Sequence, residues 1–213
     1  KLLRVWNKER HPLVDQSLFA RKKIAEQVLY GIDKNPRSVE VTRLSLWLAV
    51  GDPNYSLHNL RQNLVQGDAL VGNTDEESKL FLEEESSEVF EGTSGSNQVL
   101  EFWRQRGEGY TDRAVHWRVA FKSVFNRNPS GFDAIIGNPP WVSYAGRAAR
   151  PLDPIYKQWL IHCFQAFQRY RNLQGCFLEQ AGRKLRQDGR LGFIVPSSMS
   201  ELQGYGPSRA ALD

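Results

Sequence analysis

The run Ile136-Gly137-Asn138-Pro139-Pro140-Trp141 carries the sharpest chemical signal in the chain. Two consecutive prolines fix φ, remove two donors and hold the residues before them extended. The result is a rigid turn rich in acceptors. In it the Asn138 side-chain oxygen and the Pro139 carbonyl can converge on one donor group, and Trp141 supplies a flat apolar face beside them. An exocyclic NH2 with two protons to give, attached to a flat ring, matches that arrangement. The competing reading is a plain proline-rich turn, with Asn138 in an Asx-type bond and Trp141 in the core.

Two other segments end on acids. They are Tyr30-Gly31-Ile32-Asp33-Lys34-Asn35-Pro36 and Gln66-Gly67-Asp68-Ala69-Leu70. An acid at the end of a second α/β strand is where a nucleoside-containing cofactor has its ribose hydroxyls gripped, and Asp33 is placed for that. Asp68, at the tip of the next strand, can accept from an adenine amino group. Each is equally readable as a helix cap, since Asp ends many strands. The three segments in order, each closing a strand, make a set: open α/β sheets bind ligands outside the carboxyl ends of their strands.

Four compact apolar runs supply those strands: Val28–Asp33, Leu64–Asp68, Phe132–Asn138 and Leu191–Pro196. Their continuous apolar character predicts burial on both faces of a parallel sheet. Helical patterns intervene, which predicts α/β layering with right-handed crossovers. Asn35 can cap a first helix with Pro36 at its first position, Arg37 to Val50 continuing it and Gly51-Asp52-Pro53 stopping it. A second runs from about Pro154 to Tyr170, with Ile155, Trp159, Cys163, Phe167 and Tyr170 on one stripe. A third, Phe177 to Arg186, leads through Gln187-Asp188-Gly189 into the last strand. Between Val71 and Ser130 the chain is first acidic, then Gly/Ser-rich (Gly92–Asn97), then aromatic and basic around Trp103, Tyr110 and Trp117. That is far longer than an ordinary α/β connection and predicts an insertion with a mobile tip near Glu83–Asn97 and one or two helices after it. The expected organisation is therefore a cofactor-side part over residues 1–71, an acidic and partly flexible insertion over 72–130, and a catalytic part over 131–213.

The 213 residues, 40% apolar and 24% charged, describe a globular chain rather than a disordered or fibrous one. No apolar run approaches the ~20 residues of a membrane helix, and residues 1–25 hold no signal-peptide pattern. No membrane partner is expected, and the cytoplasm is the expected location. Cys163 and Cys176 do not form a disulfide framework. His11, His58, His116 and His162 show no ligand spacing, so no metal site is expected. The net charge is +4, but Asp75–Glu91 holds eight acids and one base, while residues 142–213 carry ten Lys/Arg and five Asp/Glu. Such a basic flank suits a polyanion through phosphate neutralisation, with Arg147, Arg150, Arg169 and Arg171 as candidate contacts. Solvated helix faces explain the same charges.

The series Gly31-Ile32-Asp33, Gly67-Asp68-Ala69-Leu70 and Asn138-Pro139-Pro140-Trp141 resembles motifs two, three and four of S-adenosylmethionine-dependent adenine-N6 DNA methyltransferases. The order resembles the gamma group, in which cofactor motifs precede the catalytic one. Asn172–Glu179 and Gly189–Pro196 are similar to that group's next helix and fifth strand. The resemblance covers roughly residues 24–71 and 132–200. It implies that Asn138 and Pro139 bind the amino group of a flipped-out adenine in double-stranded DNA, with Pro140 stiffening the turn and Trp141 stacked on the ring. It also implies that Asp33 holds the ribose of S-adenosylmethionine, that Asp68 holds its adenine amino group, and that Phe177 packs near the cofactor. Enzymes of this kind serve restriction-modification and phage-defence systems, often within one large polypeptide.

The chain departs from that pattern in three places. Residues 1–30 contain no glycine, so the glycine-rich strand-to-helix loop of the family's first motif is missing. Residue 69 is alanine where relatives often carry an aromatic. The text also ends soon after the fifth strand, before the family's final hairpin. The fold class expected is thus α/β: an incomplete Rossmann-like class I methyltransferase fold with a mostly parallel sheet, lacking its first strand and C-terminal hairpin. The chain reads as an internal piece whose partner is the remainder of a parent polypeptide, and which alone neither binds S-adenosylmethionine tightly nor methylates DNA. Two alternatives stay open: a methyltransferase acting on another planar amine, such as an RNA base or glutamine, and a non-catalytic methyltransferase-like DNA-binding scaffold. Recognition sequence and oligomeric state are not legible.

Overall fold

The computed structural model describes residues 16–71, 114–141, 152–168 and 171–201, with Gly206. The expected mobile tip at Glu83–Asn97, the aromatic stretch around Trp103 and Tyr110, and Arg147, Arg150, Arg169 and Tyr170 lie outside the described residues. Two compact units divide the chain, Lys1–Gly67 and Asp68–Asp213. Both are mixed α/β. Among the described residues the strands form two parallel two-stranded sheets, and no helix is long and apolar enough to cross a membrane.

The first unit runs α1 (Gln16–Gln27), β1 (Gly31–Asp33), α2 (Pro36–Val50), a 3-10 turn (Leu57–Leu60) and β2 (Leu64–Gln66). The limits of α2 follow from local chemistry. The Asn35 carboxamide accepts from the Arg37 amide, Pro36 occupies the first turn, and Gly51 closes the helix in the left-handed region at φ 71°. β1 and β2 pair in parallel with Gly31, Ile32 and Asp33 opposite Leu64, Val65 and Gln66. Ala25, Val39, Val50, Tyr55, Leu60 and Leu64 form the core, with Trp47 packed against it. Burial of these side chains is the main stabilising term. Polar bonds set the geometry around them: Trp47 Nε1–H donates to the Tyr55 carbonyl at 2.6 Å, and the Asn63 side-chain Nδ2 donates to the Glu26 carbonyl at 2.6 Å, capping the end of α1.

The second unit contains α3 (Trp117–Ala120), α4 (Lys122–Phe125), β3 (Phe132–Gly137), α5 (Pro154–Cys163), a 3-10 turn (Gln165–Phe167), α6 (Leu173–Lys184), β4 (Leu185–Phe193) and α7 (Ser198–Glu201). β3 and β4 are parallel, with Ile135, Ile136 and Gly137 opposite Leu191, Gly192 and Phe193. The Gln187-Asp188-Gly189 turn expected ahead of the last strand is a bulge inside β4. The register shifts between Phe132 and Ala134, and Asp188 takes φ 60°. The strand therefore begins at Leu185, earlier than its apolar run. The main core gathers Leu70, Val71, Trp159, Leu160, Cys163, Phe164, Phe167 and Cys176. Phe132 joins a second apolar group, meeting the rings of Trp117, Phe121 and Phe125 edge-on at 5.6–6.0 Å.

Two further expectations change on contact with the structure. The stripe from Pro154 does not run on as one helix. It breaks at Phe164, which is extended (φ −130°, ψ 115°), and resumes as the 3-10 turn. The cause is Glu179 of α6: its carboxylate accepts from the Gln165 and Ala166 amides at 3.2 and 2.9 Å, replacing the carbonyls that a continuous helix would have offered. Nor is β3 covered on both faces. Ile136 is 85% exposed, because β4 is the sole sheet neighbour of β3 among the described residues and no described layer covers that face.

Candidate functional site

Asn138 to Trp141 leave the carboxyl end of β3 as an irregular extended turn. Pro139 is buried while Asn138, Pro140 and Trp141 are exposed. Two bonds staple this turn to the end of β4. The Ile194 amide donates to the Gly137 carbonyl at 3.1 Å, and the Trp141 indole Nε1–H donates to the Ile194 carbonyl at 3.3 Å. The indole is thereby held by its N–H edge while the residue is 58% exposed. Asn138 reaches solvent, and among the described residues no group hydrogen-bonds its carboxamide. Asn138 at the head of this turn is thus solvent-exposed, while Pro139 behind it is buried.

The second expected segment follows β2. Asp68 is 5% exposed, and its Oδ1 accepts from the Leu70 amide at 3.0 Å, a local turn bond of the capping type. The residues after it are tied to distant parts of the unit. Ala114 forms an isolated parallel bridge to Asp68, and the Val115 amide donates to the Val71 carbonyl at 2.9 Å. The Ala69 carbonyl accepts from Trp117 Nε1 and from Gln180 Nε2, each at 3.1 Å, and the Leu70 carbonyl accepts from Trp159 Nε1 at 2.7 Å. Phe177, half-buried on α6, packs against the core that contains Leu70 and Val71. Asp68 and Phe177 thus belong to one neighbourhood.

Asp33 closes β1 in the first unit. It is exposed, with Oδ1 accepting from the Asn35 amide at 2.7 Å. The helix cap at this point is Asn35, not Asp33, so the acid is not needed to start α2.

Trp117, Trp159 and Gln180 were not signalled as site residues by the sequence. The tryptophans read as core stripe and connecting segment, and an isolated glutamine inside a helix has no distinguishing spacing. Nothing here points to a nucleophile. Cys176, beside Phe177, is wholly buried, and that burial pushes its thiol well above its ordinary range. The shifted carboxyls among the described residues lie elsewhere: Asp133 near the start of β3 is held below the usual range by Arg186, with Arg127 second, and Asp52 after α2 is held below it by Lys22. Among the described residues no cluster of His, Cys, Asp or Glu could hold a metal.

Comparison with known proteins gives a consistent direction. The family profile described as Eco57I restriction-modification methylase matches residues 27–211. A type II methyltransferase of Thermus thermophilus is 32% identical over 87 residues, covering 38% of this chain and 19% of the relative. A Methanocaldococcus jannaschii protein that carries the name of a type II restriction enzyme and methyltransferase is 31% identical over 101 residues, covering 47% of this chain and 8% of that protein. The chain therefore spans under a fifth of either relative's length. No solved structure matches it.

Proposed function

Because the chain belongs to the Eco57I restriction-modification methylase family, we propose that the protein containing it transfers a methyl group from S-adenosylmethionine to N6 of an adenine flipped out of double-stranded DNA. The observation that carries this reading is the solvent-facing Asn138 carboxamide on a stiff turn, beside an indole tethered at its edge. The gamma-group order of motifs and the incomplete Rossmann-like sheet belong to the same proposal.

Adenine N6 is a poor nucleophile because its lone pair is delocalised into the ring. Asn138 Oδ1 and the Pro139 carbonyl accept its two protons and draw them out of the ring plane, favouring a pyramidal nitrogen with an available lone pair. Pro140 keeps the two acceptors from relaxing away. Trp141 offers the flipped base a stacking face, offsetting part of the few kcal/mol of unstacking. S-adenosylmethionine, when bound, supplies a methyl group activated on a sulfonium. One N6 proton is released to water after transfer. Positioning and fixed dipoles do this work.

The residues fit the cofactor in part. Asp33 is an exposed carboxylate at the end of a parallel strand, suited to ribose hydroxyls. Asp68, whose Oδ1 accepts from the Leu70 amide, is assigned to the adenine amino group, and Phe177 to the apolar wall nearby.

The test is tritium transfer from labelled cofactor by the full-length protein, with DNA, RNA and a protein extract as separate acceptors. DNA label recovered as N6-methyladenine, falling about 10²–10³-fold in kcat in Asn138→Ala, is the expected result. Label on RNA or protein alone, or an unaffected variant, would overturn the reading.

A further inference from the structure

The backbone after β2 is held by three side chains from outside it. Trp117 and Gln180 share the Ala69 carbonyl, and Trp159 takes the Leu70 carbonyl. A carbonyl oxygen has two lone pairs, so both donors to Ala69 can be accommodated. Both lie later in the chain, 48 and 111 residues away. Gln180 is the more telling of the two. It is 2% exposed in the middle of α6, where an apolar side chain would fill the space without a buried carboxamide to satisfy. Its Nε2 donates to a backbone oxygen of the loop. The two restrained carbonyls, of residues 69 and 70, immediately follow Asp68, and Asp68 itself bonds the Leu70 amide. The direction of the Asp68 side chain is therefore set by backbone that Gln180 and Trp117 fix. The same bond brings α6, with Phe177 one turn earlier, against this loop.

We infer that Gln180 is a positioning residue for cofactor binding. It acts through the Ala69 carbonyl on Asp68, and Trp117 is the second arm of the same clamp. This rests on the cofactor role proposed above for Asp68 and Phe177. A clamp made entirely within the protein stabilises cofactor binding in ground and transition state alike. Loosening it raises Kd and KM for the cofactor and leaves kcat at saturation unchanged.

The experiment uses the full-length protein with Gln180→Met, which is similar in size and has no donor. Calorimetric titration with S-adenosylmethionine is expected to show Kd raised about tenfold. In the same variant kcat at saturating cofactor and DNA affinity stay within about twofold. Trp117→Phe shows the same split, and should Gln180→Met not fold, it decides the matter. The double variant loses more than the product of the singles, because the last donor to the shared carbonyl has gone. Wild-type cofactor affinity in the folded variants would overturn the inference. So would parallel losses in cofactor affinity, kcat and DNA affinity, the mark of a general structural role. Asp68→Asn in the same titration separates the two claims. Normal binding by that variant defeats the cofactor role of Asp68. Weak binding by it beside a wild-type-like Gln180→Met defeats the positioning role alone.

Discussion

The indole N–H of Trp141 and the carbonyl of Ile194 meet at 3.3 Å across 53 residues of chain. This bond joins the turn leaving β3 to the turn leaving β4. Trp141 as a whole stays 58% exposed. A large aromatic surface left in water while its polar edge is tied down is what a stacking platform requires.

Stacking and tethering separate by substitution. Trp141→Phe keeps a flat face and loses the donor, and is expected to lower kcat/KM for DNA by less than about tenfold. Trp141→Ala removes both and is expected to cost about 10- to 100-fold, from the ~1–3 kcal/mol of base–aromatic stacking. Steady-state methylation of a short duplex, with an environment-sensitive base analogue at the target, reads both effects. Equal losses in the two variants would assign the whole effect to the tether.

The break between α5 and the 3-10 turn depends on Glu179, which is 5% exposed and also pairs with Arg183 at 2.5 Å. Arg183 in turn donates to the Cys163 carbonyl at 2.9 Å and lies over the Phe164 ring. Glu179→Ala removes the acceptor of two amide donors and the ion-pair partner of Arg183 together, so a loss of about 3 kcal/mol is expected. Thermal denaturation of the protein should show a lowered Tm that added salt does not restore, since a buried pair is little screened. An unchanged Tm would show that water replaces the carboxylate freely.

Asp133 accepts from Arg186 Nε at 2.7 Å and from Arg127 Nη2 at 2.6 Å. These bonds favour its charged form and lower its folded pKa below the unfolded value of about 3.9. The unfolded chain therefore binds the proton more readily. The contribution to stability is fully present above about pH 4 and is lost as pH falls through the folded pKa. The carboxylate is largely exposed, so the effect is modest. Melting profiles of wild type and Asp133→Asn should differ at neutral pH and converge on acidification. A constant gap across that range would remove the electrostatic explanation.

What was legible in the sequence was local. Asn35, Pro36 and Gly51 delimit α2 because a cap or stop is made by residues within one turn of the helix end. The Asn-Pro-Pro-Trp turn was recognisable for the same reason: proline geometry acts on its immediate neighbours. The parallel pairing of strands was also foreseeable, since helices separate the apolar runs that pair.

Tertiary structure alone decided the rest. Nothing near Phe164 announces that α5 ends before it, because the acceptor responsible sits in α6. The exposure of Ile136 depends on which layers surround β3, not on its apolar type. The shared acceptor at Ala69 unites donors 48 and 111 residues away, a coincidence of directions that exists only after the chain has folded. Short-range sterics and capping are written residue by residue. Hydrogen bonds between distant segments are set by packing, which no single stretch of sequence contains.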